Sequence, residues 1–108
     1  MTWFAPPPGM ALDEFATACI ESGSGGLLLD EDALPPEFFD LSTRAAGTLL
    51  HELGKYRIPL AAVVPDTEAY SPAFQDFVRE SNRGHRVRFF TDRAQAEAWL
   101  ARVVEPLP

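Results

Sequence analysis

The chain has 108 residues, 46% of them hydrophobic, one cysteine and a formal charge of −7. That length and apolar content suit one small domain with a single core; the acidity argues against a nucleic-acid partner, whose phosphates want a basic surface, and the lone Cys19 excludes an intrachain disulfide and a CxxC metal knuckle. No apolar run approaches the roughly 20 residues of a membrane span, and the opening MTWFAPPPGMALDEF lacks the basic and apolar regions of a signal peptide, so a cytoplasmic protein with no membrane partner is expected.

Residues 1–9 are expected to form an N-terminal arm or a short strand at Thr2 to Ala5, ahead of an α/β core at 10–104, the whole forming a single domain. Leu12, Phe15, Ala16, Cys19 and Ile20 then recur at helical spacing and make one apolar stripe. The SGSGG stretch at 22–26 precedes an apolar run instead of following one, so it reads as a flexible connection and not as a phosphate loop. LLLD at 27–30 is a short buried strand. Ala46, Leu49, Leu50 and Leu53 mark a second helix, and IPLAAVV at 58–64 is apolar without alternation, as a strand covered on both faces would be.

Ser71 followed by Pro72 is an N-cap with proline at the first helical position, and Phe74, Phe77, Val78 and Ser81 continue that third helix. Gly84 stands where a left-handed C-cap glycine belongs. RVRFF at 86–90 mixes alternation with an apolar end and suggests a strand near an edge. Asp92 and Gln95 have capping-box spacing, and Ala96, Trp99, Leu100 and Val103 make the stripe of a last helix. Strands alternating with helices predict an α/β fold: a small, mostly parallel sheet of three or four strands with flanking helices.

In such a fold the charge separates. Residues 1–43 carry eight acids and no Lys or Arg, whereas 44–108 carry nine bases and eight acids. Asp30, Asp66 and Asp92 each follow a strand, with Glu31, Asp32, Glu37, Asp40 and Glu68 in the same loops. The edge at the strand C-termini is therefore expected to be acidic. Lys55, Arg57, Arg83, His85 and Arg86 sit at helix ends and strand starts, which makes the opposite edge basic. Helix dipoles favour this polarity, by about 0.3–1 kcal/mol per charge.

LPPEFFDLSTRAAGTLLHELGKYRIPLAAVV at 34–64, VRESNRG at 78–84 and RFFTDRAQAEAWL at 88–100 occur in that order. At that spacing they resemble a bacterial family known as domain of unknown function 4180, over roughly residues 12–100. ESNRG is the most specific part. Two departures stand out: the β-hairpin that usually opens family members is largely missing, and the AGE element reads AGT at Ala46 to Thr48. FFDLST at 38–43, after a strand ending in Asp30, is also similar, more distantly, to the STAS or SpoIIAA-like fold. In anti-sigma-factor antagonists the corresponding segment carries a phosphorylated serine and faces a partner kinase. The likeness implies Ser42 and Thr43 as the nearest candidates, although the Asp-Ser-Ser-Gly pattern is not reproduced.

Enzymatic motifs are scarce. G-x-S-x-G is absent. Cys19 lies on an apolar stripe and His51 flanks one, with His85 far along the chain. The strand-end aspartates suggest Mg²⁺, but a receiver-type site wants a lysine nearby, and Lys55 belongs to the opposite edge. The expected function is a non-enzymatic regulatory or protein-interaction module. The alternative is a small-molecule-binding protein or enzyme with an acidic site at the C-terminal edge of the sheet. Candidate ligand- or partner-binding residues are Glu37, Asp40, Ser42, Thr43, Arg44 and Asp66 at that edge, and Asn82 and Arg83 at the other. No catalytic residue, metal or cofactor is expected. Partners are expected to be an unidentified protein and a second copy of the chain, since the short or missing N-terminal hairpin leaves an open sheet edge and the acidic and basic edges are complementary patches.

Overall fold

The structure, a computed structural model, describes residues 12–22, 25–84 and 86–103. The strand expected at Thr2 to Ala5, part of the SGSGG loop and His85 lie outside the described residues. The elements follow as α1 Leu12–Glu21, β1 Leu27–Asp30, α2 Ala45–Lys55, β2 Leu60–Val63, α3 Pro72–Ser81, β3 Val87–Phe90 and α4 Arg93–Val103. Single 3-10 turns at Glu31–Ala33, Pro36–Phe39, Leu41–Thr43 and Thr67–Ala69 fill the connections at the strand C-terminal edge.

The sheet has strand order β1-β2-β3, with both pairings parallel. Leu27, Leu60 and Val87 stand in register at one end, and Asp30, Val63 and Phe90 at the other. Sequence order equals spatial order, so two crossovers of the same hand put α2 and α3 on one face. α1 joins them. Phe15 and Cys19 of α1, Leu49 and Leu53 of α2, and Phe74 and Val78 of α3 share a core with Leu29, Leu60, Ala62 and Phe89. Among the described residues α4 is the last element, and it covers the other face, packing Ala96, Trp99 and Leu100 on Leu28, Ala61 and Val63. The result is three layers. β2 is buried along its whole length because successive side chains point into opposite layers, both of them apolar. None of the described helices is long and apolar enough to cross a membrane.

Caps set the helix starts. Ser71 Oγ accepts the Phe74 amide at 3.2 Å ahead of Pro72, and Asp92 Oδ1 accepts the Ala94 amide at 2.9 Å. The helix ends correct one expectation. Gly84 does not adopt a left-handed backbone: α3 runs out through Asn82 at φ −71°, and the Gly84 amide reaches the Ser81 carbonyl at 3.0 Å. The left-handed cap is at the end of α2, on Arg57 at φ 56°. There the Ile58 amide bonds Leu53 O at 3.1 Å and the Arg57 amide bonds Gly54 O at 3.2 Å, the paired pattern of a Schellman turn.

The connection from β1 to α2 is also more ordered than a loop. Phe38 is fully buried and meets Phe74, Phe77 and Phe89 at ring-centroid distances of 6.2, 6.3 and 6.2 Å. Phe39 stacks on Tyr70 at 4.6 Å. The FFDL motif thus pins this connection to α3 and β3.

Candidate functional site

Between Phe39 and α2 the chain makes a tight, internally bonded bend. Asp40 Oδ1 accepts the Ser42 amide at 3.0 Å and the Ser42 hydroxyl at 2.6 Å. Those two bonds, the hydroxyl's first, hold the Asp40 carboxyl below its ordinary 3.8. Thr43 Oγ1 lies 2.7 Å from the carbonyls of both Glu37 and Asp40, and accepts the Ala45 amide at 3.2 Å. FFDLST therefore does not open α2 directly. Ser42 and Thr43 belong to the preceding 3-10 turn, and Arg44, at φ 62°, is the N-cap of α2. A left-handed, non-glycine residue at this junction turns the chain sharply enough to begin the helix. The Arg44 carbonyl then accepts the first helical bond, from the Thr48 amide at 3.0 Å.

This bend opens a cleft. Leu41, Arg44, Ala46, Gly47, Thr48, His51 and Phe77 line a cavity of about 510 Å³ between α2 and α3. Ala46 and Gly47 are small, so the first turn of α2 leaves room that a larger pair would fill. A Cβ added at Gly47 would meet no atom within 4 Å. The walls from Leu41, Ala46 and Phe77 are apolar, while Arg44, Thr48 and His51 are exposed. Neither Arg44 nor His51 has an ion-pair partner among the described residues.

The acids at the strand C-terminal edge are used differently. Asp40, Asp66 and Asp92 each accept the amide two residues on, at 3.0, 3.1 and 2.9 Å. Such aspartate turns hold up the short helical turns that follow. Asp30 pairs with Arg93 at 2.8 Å, and Arg93 also reaches Glu97 at 3.2 Å. These are half-exposed pairs, each worth about 0–1 kcal/mol. Glu31 accepts the hydroxyl of Tyr70. Burial first, and the bond to Glu31 next, push the Tyr70 phenol up to about 12. Among the described residues no three His, Cys, Asp or Glu side chains are placed to hold a metal ion.

At the opposite edge Asn82 turns inward. Its side-chain oxygen accepts the Phe89 amide at 2.7 Å, its side-chain nitrogen reaches the Phe89 carbonyl at 3.4 Å, and its own carbonyl accepts from Arg88 at 2.9 Å. Arg83 points out and meets the exposed Glu80 at 3.4 Å. Within ESNRG, then, Asn82 has the demanding structural position and Arg83 a loose surface pair.

The structure gathers Asp40, Ser42, Thr43 and the Glu37 carbonyl into one bend, with Arg44 carrying it to the cleft. Asp66 stands apart on its own turn, and Asn82 lies at the far end of α3. Reading the sequence missed Gly47, Thr48 and Phe77 as cleft walls. The signal available was the small pair Ala46–Gly47 beside the partly polar face of α2. Cys19 is inert here: fully buried, its thiol is pushed by burial up to about 11.

A family model described as Domain of unknown function (DUF4180) matches residues 8–100, and the chain belongs to that family. No curated protein was found to match the chain, and no solved structure.

Proposed function

As a member of that family the chain is, we propose, a regulatory interaction module of STAS-like α/β build. It does no chemistry of its own and holds a segment of a protein partner in the cleft between α2 and α3. One observation carries the reading: an open cavity of about 510 Å³ with apolar walls at Leu41, Ala46 and Phe77 and a cationic rim at Arg44, which has no ion-pair partner among the described residues. The complementary occupant has an apolar side chain for the walls and a carboxylate within reach of the Arg44 guanidinium. Such charge-assisted pairing gives orientation as well as affinity. Binding without catalysis agrees with the occupation of Asp40, Asp66 and Asp92 as caps.

The regulatory arm concerns Ser42. Its hydroxyl is exposed and bonded to Asp40 at 2.6 Å. A phosphate on that oxygen would remove the proton that Asp40 accepts and set two negative groups side by side. The bend would loosen, and Arg44 and Leu41 would leave their places in the cleft.

The test uses a photo-crosslinking residue in place of Thr48, with the captured protein identified and then purified for binding measurements. Gly47→Phe fills the cleft from a position with free space around it, so the fold survives. Direct binding of the purified partner should fall at least about tenfold in Gly47→Phe and in Arg44→Glu. Binding unchanged in both variants would overturn the proposal. Ser42→Asp should weaken the same complex, and an unchanged affinity there would remove the regulatory arm alone.

A further inference from the structure

At the basic edge a second cleft, of about 350 Å³, is lined by Arg57, Pro59, Arg86 and Val103. It is independent of the α2–α3 cleft and shares no lining residue with it. Three features set it apart from an ordinary basic surface. The first is that neither guanidinium is neutralised: Lys55, Arg79, Arg83 and Arg93 pair with carboxylates, whereas Arg57 and Arg86, like Arg44, Arg88 and Arg102, pair with none among the described residues.

The second is backbone cost. Arg57 occupies the left-handed position of the α2 cap, at φ 56°, where glycine is the favoured residue. A residue held in a disfavoured conformation, with its charged side chain left unpaired, points to a use for that side chain. The third is Gly54, a glycine inside the last turn of α2. A Cβ there would stand 3.1 Å from a guanidinium nitrogen of Arg86. The missing side chain lets Arg86 lie close against the helix. Two departures from good helix practice thus coincide with the placement of two guanidiniums on one cleft.

The end of α2 contributes about half a negative charge, which the two guanidiniums outweigh. Glu80, which borders an adjoining cleft together with Arg86, is held by Arg83 at 3.4 Å. The field in the cleft therefore favours an anion. Guanidinium forks match the oxygens of a tetrahedral oxyanion in pairs. Val103 and Pro59 supply an apolar wall that a bare inorganic ion would not use. The cavity lies at the small end of the roughly 300–1,000 Å³ range of ligand pockets.

From this geometry we infer that the cleft of Arg57, Arg86, Pro59 and Val103 binds a phosphate monoester, its phosphate between the two guanidiniums and its organic body against Val103 and Pro59. The site recognises and does not cleave; among the described residues no nucleophile or general base lines it.

The experiment titrates the full chain with phenyl phosphate and, in a parallel arm, with inorganic phosphate. Ionic strength is held constant, and binding is followed by backbone amide shifts and calorimetry. Phenyl phosphate should bind saturably and shift the amides of Arg57, Ile58, Arg86 and Val103. Inorganic phosphate should bind the same residues about tenfold more weakly, for want of the apolar contact. Arg86→Gln should weaken phenyl phosphate about tenfold or more. Arg57→Gly should do the same while keeping the fold, since glycine suits that backbone. Thermal melts of both variants accompany the titrations. No saturable shift, shifts elsewhere on the surface, or equal affinity in the folded variants would overturn the site. Equal binding of the two probes would overturn the assignment to an organic monoester.

Discussion

The side chain of Asn82, just past the end of α3, is bonded to both backbone polar groups of Phe89, in the middle of β3. The amides of Leu60 and Val64 reach the carbonyls of Arg86 and Phe90. Residues of that parity on β3 therefore face β2, and Phe89 faces the open side of the sheet. Asn82 supplies there an acceptor and a donor that a further strand would otherwise bring. An edge strand with free backbone groups invites pairing with other chains, and a carboxamide is the side chain that satisfies both groups at once.

Asn82→Ala is expected to lower stability by about 1–2 kcal/mol, from one good and one long hydrogen bond. The Phe89 amide should exchange with solvent faster than its neighbours on β3. Asn82→Asp keeps the acceptor but sets an oxygen against the Phe89 carbonyl, and should cost at least as much. Urea unfolding and amide exchange check this; an unchanged Phe89 exchange rate in Asn82→Ala would refute it.

The left-handed cap of α2 yields a paired prediction. Arg57 at φ 56° carries a steric cost of about 1–2 kcal/mol that glycine avoids. Against this, glycine loses about 0.5–1 kcal/mol through the freedom of the unfolded chain. Arg57→Gly should therefore stabilise by about 0.5–1 kcal/mol. Gly84→Ala should change stability little, because the residue is not left-handed and, among the described residues, a Cβ there meets only the Ser81 carbonyl, at 3.6 Å. Thermal melts distinguish the two; a large loss in Gly84→Ala would show that its backbone is not as described.

Phe38 joins the β1–α2 connection to the core. Phe38→Ala should cost about 3–5 kcal/mol, as for other fully buried aromatics. Phe39, partly buried and stacked on Tyr70, should cost less, about 1–2 kcal/mol. Denaturant midpoints order the two, and equal costs would contradict the packing. Loss of Phe38 should also disturb the partner cleft, since the same segment delivers Leu41 and Arg44 to it.

The alkaline limb of stability should depend on Cys19. Burial raises its thiol from 9.0 to about 11, so the folded chain keeps this proton to a higher pH than the unfolded chain does. The contribution is whole below pH 9 and is lost as pH rises towards 11. Tyr70, raised from 10.0 to about 12, adds a loss in an overlapping window that begins at pH 10. The melting temperature should fall through this range, and less steeply in Cys19→Ala than in the parent between pH 9 and 11. At neutral pH the native thiol should not react with Ellman's reagent until the protein unfolds. Parallel slopes in the two proteins, or rapid native labelling, would contradict the buried assignment.

Much of the fold was legible in the sequence because burial on two faces leaves a plain signature. LLLD and IPLAAVV lack alternation since both sides of β1 and β2 are covered, and the helical stripes from Phe15 to Leu100 are the inward faces of amphipathic helices. Local caps were legible for the same reason: Ser71 with Pro72, and Asp92, act within a few residues of themselves. The strand-end acids were visible too, although most of them prove to be bonded locally.

What lay beyond the sequence depends on contacts between residues distant along the chain or on small backbone choices. ESNRG marks Asn82 and Arg83 alike; only the position of β3 against the end of α3 makes Asn82 the clamp on Phe89. Gly84 and Arg57 exchange the expected roles at the helix ends. Glycine tolerates a left-handed backbone without requiring one, and the Ile58 and Leu53 contacts are enough to hold an arginine there. The α2–α3 cleft needs Phe77 to face Gly47, and the basic cleft needs Arg86 to lie over Gly54. Periodicity and capping follow from each segment's own chemistry, so the sequence alone determined the elements. The surfaces where binding is proposed arise only when separate segments meet, and there the tertiary structure decided.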